Sequence, residues 1–262
     1  MRILSFDTST ADIHLALLED KDIVLKEVVT GEVEGRNQTN SLLMPAIDRA
    51  LNQLAWNRDS LDLIVCGAGP GGFTGVRVGV VTARTLAQAL DLPLISVLNL
   101  DVAAYLYKEA DSACLPAPQD TLIIKYAGKN TLSNSKDKTP STRANFFVLA
   151  LNKDLTSNMT IDIVQGRFGN GFCADESSLG ALSFSRWVFI DAVSQEAALA
   201  CGLAKEHLVL PKIENIACIQ GQIVFNELSC KGQNLSTALY PWHKVEPAYF
   251  REPSISKAGI NK

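Results

Sequence analysis

The sequence predicts a layered α/β protein of two lobes, and three observations support this. Residues 1–105 alternate as β-β-β-α-β-α-β-α. Within them, Leu61–Gly67 is a short apolar run suited to a strand buried on both faces. From Gly67 to Gly79, thirteen residues hold six glycines, placed between that strand and a helix. This glycine-rich segment is the most diagnostic feature of the chain.

Arg2–Phe6 reads as the first strand and Ile13–Leu18 as the second. The turn-rich Asp7-Thr8-Ser9-Thr10 between two apolar runs makes them a hairpin. Residues 23–29 supply a third strand, and the polar stretch Thr30–Asn40 leads into a helix over Ser41–Ala55. Leu43, Ile47, Leu51 and Leu54 recur there at helical spacing, with Asn40 or Ser41 available as cap. After the glycine-rich segment comes a helix over Val80–Leu90, its apolar positions Val80, Val81, Ala83, Leu86, Ala87 and Leu90. A strand over Pro93–Val97 and a helix over Leu100–Glu109 complete the first lobe.

Past Ala110 the periodicity weakens, and 106–262 is expected to form a smaller second lobe and C-terminal tail. Gly128–Asn145 is rich in Lys, Ser, Thr and Asn, the composition of an exposed, mobile loop. Short strands are expected at Phe146–Leu151, Ile161–Val164, Trp187–Ile190 and Leu208–Leu210, with a helix over Gln195–Gly202.

Composition excludes several function classes. Of 262 residues, 47% are hydrophobic and 20% charged, an ordinary globular balance, and the formal net charge is −4. An acidic chain is not expected to hold nucleic acid on a strong basic face of its own, although it can reach RNA through a partner. The N-terminus runs directly into a strand pattern without the apolar core of a signal peptide, and no stretch approaches the ~20 apolar residues of a membrane span. Cysteines 66, 114, 173, 201, 218 and 230 show no C-x-x-C spacing, so reduced thiols in a cytoplasm are expected rather than a disulfide scaffold or zinc ribbon.

Two motifs could support chemistry. The amides of the glycine-rich segment and of the helix that follows could attract an anion, or the glycines could simply let that helix pack closely on the sheet. Walker A requires Gly-Lys-Ser/Thr, which is absent, and the glycine spacing is not that of a dinucleotide fingerprint. Asp7, at the end of the first strand and followed by hydroxyl-bearing residues, could order a metal's waters; the same residues also make an ordinary turn. His14, His207 and His243 are isolated in sequence, and neither Ser96 nor Cys66 is set as a nucleophile.

Taken together, residues 2–18, the Gly69–Gly79 run GPGGFTGVRVG and the Ala83–Leu90 helix resemble the bacterial TsaB (YeaZ) family. Gly72 stands where that family usually has serine. Pro247-Ala-Tyr-Phe-Arg251 is similar to the family's closing Pro-x-Tyr-x-Arg. The Asp-Ala-Arg-Arg-like stretch usual at the start of the second lobe is not recognisable near Ile123–Ala150. The resemblance implies an actin/Hsp70/sugar-kinase-like ATPase fold and a part in building threonylcarbamoyladenosine beside the tRNA anticodon.

It also implies that Asp7, Thr8, Gly69, Pro70, Gly71, Thr74, Gly75, Arg77 and Gly79 are nucleotide-facing or interfacial elements. The catalytic relative, TsaD, has two histidines four residues apart after the strand that follows the glycine loop, and here those positions fall on Asn99 and Ala103. A non-catalytic subunit is therefore expected, without an intrinsic cofactor or metal, with ATP/ADP and Mg acting at the level of the complex. Its implied partners are a TsaD-like transferase, a TsaE-like ATPase, a second copy of itself, and tRNA reached only through the complex. Leu43, Ile47, Val80, Ala83, Leu86 and Ala87 are the expected interface, because small and aliphatic residues occupy more than one face of these helices. The competing readings are a self-sufficient nucleotide-hydrolysing or phosphotransferase enzyme of the same fold, an interaction protein, and a metallopeptidase-like relative, which the missing histidine pair disfavours.

Overall fold

The computed structural model describes residues 1–33, 36–114, 121–132, 141–151, 172–175, 186–190, 192–200, 207–209, 213–232 and 235–248. In chain order the first strands are β1 (Arg2–Asp7), β2 (Asp12–Glu19) and β3 (Asp22–Thr30), then the two-residue pair β4 (Glu32–Val33) and β5 (Arg36–Asn37). Helix α1 (Thr39–Gln53), β6 (Leu63–Gly67), α2 (Phe73–Leu90), β7 (Leu94–Val97) and α3 (Asn99–Cys114) follow. These make one five-stranded sheet in the order β3-β2-β1-β6-β7, with β1–β3 antiparallel and β6 and β7 parallel to β1.

Both faces of this sheet are covered, which is why its inner strands read as continuous apolar runs. Leu4, Phe6, Ile13, Leu15 and Leu17 pack against Leu43, Ile47, Val76, Val80 and Ala83 of α1 and α2. On the other face Ile3, Ala16, Leu18, Leu63, Val65 and Ile95 meet Val102 of α3 and the helix α5 (Ile216–Lys231).

That second contact corrects the division expected from the sequence, which assigned everything after 105 to the second lobe. Residues 213–248 return to the first sheet. The Asn215 side chain caps α5 by accepting from Ala217 N at 3.0 Å, and Gly232, at φ 56°, ends it. Ser5 Oγ donates to Ala217 O at 2.7 Å, and Asn215 Nδ2 to Leu15 O and Glu27 O at 3.0 Å each. The helix is apolar on most sides, so periodicity gave no sign of it.

A second sheet has the order β10-β9-β8-β11-β12, from β8 (Thr121–Leu132), β9 (Ser141–Leu151), β10 (Phe172–Asp175), β11 (Arg186–Phe189) and β12 (His207–Val209). Helix α4 (Ala192–Ala200) lies between β11 and β12, which pair in parallel. β8 and β9 form a long antiparallel hairpin from Thr121↔Leu151 to Leu132↔Ser141. The expected loop over 128–145 is therefore strand at both its ends. A two-stranded ribbon can be polar on both faces, so it lacks the apolar alternation that marks a half-buried strand. The strand expected at Ile161–Val164 lies outside the described residues.

Smaller differences concern the helices. α2 begins at Phe73 rather than Val80, so the second half of the glycine-rich segment is helical. α3 runs to Cys114 rather than Glu109. α1 is preceded by Gln38 without a side-chain cap, and Ser41 Oγ donates back to Gln38 O instead of capping.

Candidate functional site

The C-terminal ends of β1 and β6 bring the two sequence motifs together. Asp7 is fully buried and both its carboxyl oxygens are engaged. Oδ1 accepts from Ser9 N at 2.7 Å and from Ser9 Oγ at 2.6 Å; Oδ2 accepts from Gln220 Nε2 of α5 at 2.9 Å. The neighbouring Asn99, at the start of α3, donates through Nδ2 to Ser9 Oγ at 2.7 Å and to Pro70 O at 3.2 Å, and through its backbone N to Gly69 O at 2.8 Å. A single network thus ties α5, β1, the glycine loop and α3.

The glycine loop closes onto the β1–β2 turn. Gly72 N donates to Ser9 O at 2.7 Å, and Thr8 Oγ1 donates to Gly75 O at 2.7 Å. Any Cβ on Gly75 would lie 2.0 Å from Thr8 O, and one on Gly67 would lie 1.6 Å from Asp7 Oδ2. Gly71 and Gly79 face Ser9 and Thr8 at similarly short range. Two glycines inside α2 weaken a helix intrinsically, and here the approach of the Thr8–Ser9 backbone requires them.

This geometry tests whether a magnesium nucleotide fits. A phosphate needs free donors, but Gly72 N, Ser9 N, Asn99 Nδ2 and Gln220 Nε2 all donate within the protein. Of the buried atoms left without a hydrogen-bond partner, Asn99 Oδ1 and Gln220 Oε1 beside the network are acceptors, and His14 Nδ1 lies on the residue paired with Asp7. Both Asp7 oxygens already accept hydrogen bonds from protein donors. These four donors and the Asp7 carboxylate are thus committed within the protein. Among the described residues no three His, Cys, Asp or Glu side chains gather as a metal's ligand set.

Burial governs the titrating groups here. It pushes the Cys66 thiol well above its ordinary range, reinforced by the charge of Asp7. It lowers His14, which pairs with Asp7 across the β1–β2 ladder, while Asp7 and Asp12 oppose the shift. Asp101 is raised well above the usual carboxylate range by burial, despite accepting from Leu98 N.

Of the residues singled out from sequence, Asp7, Thr8, Gly69, Pro70, Gly71, Gly75 and Gly79 lie together in this closed assembly. Thr74 and Arg77 are exposed, the Arg77 guanidinium lying 5.2 Å from the centre of the Phe73 ring. The six expected interface residues are corrected. Leu43, Ile47, Val80, Ala83, Leu86 and Ala87 are all buried and belong to the core beneath α1 and α2. Small side chains there serve close helix–sheet packing. The outer face of α2 instead shows Phe73, Arg77, Val81 and Thr85 at four-residue intervals, with Val81 59% exposed. Sequence reasoning missed Gln220, Ser9 and Asn99 as organisers of Asp7. Gln220, an amide with Gln222 inside the apolar run Ile216–Phe225, was the available signal.

Among the described residues no helix is long and apolar enough to cross a membrane. Residues 34–137 match the family model described as TsaD, tRNA N6-adenosine threonylcarbamoyltransferase. The chain is 38% identical over 104 residues to the tRNA threonylcarbamoyladenosine biosynthesis protein TsaB of Bacillus subtilis (strain 168), covering 40% of this chain and 44% of the relative. To the tRNA N6-adenosine threonylcarbamoyltransferase of Anaeromyxobacter sp. (strain Fw109-5) it is 31% identical over 125 residues, or 42% and 38% of the two chains. It therefore spans less than half the length of these curated relatives. The solved structure of YeaZ from Pseudomonas aeruginosa superposes with a TM-score of 0.58 at 18% identity, covering 95% of this chain and 99% of that one, a likeness of fold. The resemblance of the first lobe to the TsaB (YeaZ) family read from the sequence is borne out over these 104 residues, and so is the α/β class, with the fold of YeaZ.

Proposed function

We propose, from the likeness of its N-terminal lobe to the TsaB (YeaZ) family, that the chain is a non-catalytic accessory subunit of a complex that forms N6-threonylcarbamoyladenosine in tRNA. It docks on a TsaD-like transferase, which performs the chemistry. The supporting observation is the Asp7 assembly, in which Gly72 N, Ser9 N, Asn99 Nδ2 and Gln220 Nε2 all donate within the protein. Asn99 and Ala103, where the catalytic relative has its histidines, are buried in the first turns of α3, and neither is an imidazole. Asp7 and the glycine loop then serve as a clasp that fixes α2. Nucleotide and magnesium act elsewhere in the complex, with a TsaE-like ATPase as their user, and the whole works in the cytoplasm.

The docking face is the outer side of α2, where an apolar Val81 sits among Phe73, Arg77 and Thr85. Such a face suits a partner helix, whether from a transferase or from a second copy. Co-purification of the chain with a candidate transferase, followed by measurement of threonylcarbamoyladenosine on tRNA, tests this reading. Val81→Asp is expected to abolish co-purification and lower modification at least tenfold while leaving the urea midpoint unchanged. Full modification by the chain alone would overturn it, as would partner binding indifferent to Val81→Asp.

A further inference from the structure

The outer side of α2 carries an unbalanced charge. Between Phe73 and Leu90 the helix holds Arg77 and Arg84 and no aspartate or glutamate. At about 100° per residue, Arg77, Val81, Arg84 and Gln88 fall within about 60° of one another, so they share one face. Arg77, Val81 and Gln88 are exposed, and Arg84 is half-buried.

Neither arginine finds a carboxylate among the described residues. Arg2, Arg49 and Arg58, by contrast, each pair with a glutamate or an aspartate. Arg77 and Arg84 are instead placed over aromatic rings, 5.2 Å from the centre of Phe73 and 5.9 Å from that of Trp242. A guanidinium placed over a ring is held there while its N–H edge stays available to a carboxylate. The nearest acids in sequence, Asp91 beyond the helix and Glu246 beyond Trp242, form no ion pair with either arginine.

We propose that this face is covered by an acidic amphipathic helix of a different chain, the transferase of the preceding subsection. Its carboxylates meet Arg77 and Arg84 around an apolar contact at Val81; the identity of that chain rests on the accessory-subunit reading. Val81, 59% exposed between the two arginines, calls for an apolar side chain opposite, which a nucleic-acid backbone lacks. A second copy fits less well. Packed on the same face about a two-fold axis, it brings four arginines into one interface, and α2 has no acid to meet them. The neighbouring α1 has a single acid, Asp48, and Arg58 already engages it. The charge of the face thus selects a transferase over self-pairing.

The test is the rate at which the full chain joins a purified TsaD-like transferase, followed by biolayer interferometry from about 50 to about 300 mM KCl. The wild-type association rate is expected to fall about tenfold across that range. Arg77→Glu/Arg84→Glu should associate at least about tenfold more slowly at low salt and lose that salt dependence, with an unchanged urea midpoint. Arg77→Lys/Arg84→Lys, which keeps the charge, should keep the salt dependence. Binding that is lost on Val81→Asp but indifferent to salt and to arginine reversal overturns the proposal and leaves the accessory-subunit reading standing. Failure of the wild-type chain to bind overturns both. A wild-type dimer that Arg77→Glu/Arg84→Glu disperses, seen by sedimentation, gives the face to a second copy. Weakened binding of labelled tRNA with intact transferase binding in the same variant gives it to RNA. Either result overturns the proposal.

Discussion

Replacing Gly67 with alanine puts a methyl group 1.6 Å from Asp7 Oδ2 and 2.5 Å from Asp7 Cγ. Neither neighbour can yield locally, because the carboxyl is held by Ser9 N, Ser9 Oγ and Gln220 Nε2. Restoring van der Waals distance moves Oδ2 by more than about 1.5 Å and breaks at least the Gln220 bond. A hydrogen bond to a charged group contributes about 1.5–3 kcal/mol, and forced overpacking adds about 1–3 kcal/mol. Gly67→Ala should therefore destabilise by about 3–5 kcal/mol. Asp7→Ala should cost a similar amount, since three buried donors lose their acceptor. The double variant is the informative one. With Oδ2 and Cγ gone, the nearest remaining Asp7 atom is Cβ, at 3.0 Å, and adding the Gly67 methyl should cost only about 1 kcal/mol or less. Urea unfolding followed by tryptophan fluorescence, with all four chains compared, gives a coupling of about 3 kcal/mol if this is right. An equal cost of Gly67→Ala with and without the Asp7 carboxyl would refute the close-approach argument.

The remaining predictions concern the same lobe. Gln220→Leu leaves Asp7 Oδ2 without a donor and should destabilise by about 2 kcal/mol, with faster amide exchange along α5 than along α1. His14 is held neutral by burial, its value lowered from the ordinary 6.5. The stability this preserves is fully present above about pH 6.5. It is lost as pH falls from there toward the lowered folded value, because the unfolded chain takes up the proton first. Urea midpoints of His14→Gln should lack that part of the acid-side decline. With Cys114, Cys173 and Cys201 changed to serine, native protein should react with a thiol reagent at exposed Cys230 alone. Cys66 and Cys218, both buried and raised by burial, should react only in urea. Rapid native labelling of Cys66 would mean that β6 is open at its end.

How far the sequence could be read depended on where each element finds its partner. β1, β2, β6 and β7 were legible because a strand covered on both faces must be apolar throughout, as Leu63–Gly67 is. α2 was legible only in its second half. Its first turns are glycine-rich, which local propensity reads as loop, and the reason they are helical lies with Thr8, nearly seventy residues earlier. α5 was missed because an all-round apolar helix has no amphipathic signature, and its sheet face is supplied by β1 and β2. At the candidate site Asp7 and the glycines were visible as motifs. Their role was not, since Gln220 and Asn99, which engage the Asp7–Ser9 pair, are distant in sequence. The interface residues failed for a related reason: a small side chain on a helix suits an outer contact and an inner one equally, and only the packing of α1 and α2 on the sheet separates Val80 from Val81.

The return of α5 to the first sheet has a consequence during synthesis. Asp7 and Gln220 are separated by 213 positions. One whole face of the earliest sheet, with Ile3, Ala16, Leu18 and Val65, therefore has no helix α5 to cover it until the last fifth of the chain has left the ribosome. Until then α3 alone can cover part of that face, and the nascent lobe presents aliphatic strands beside it, a substrate for chaperones. A stop codon or proteolytic cut ahead of residue 216 leaves a product that cannot close its core. Quality control of this protein is thus written into its topology: only a chain translated through α5 can bury the strands with which it began.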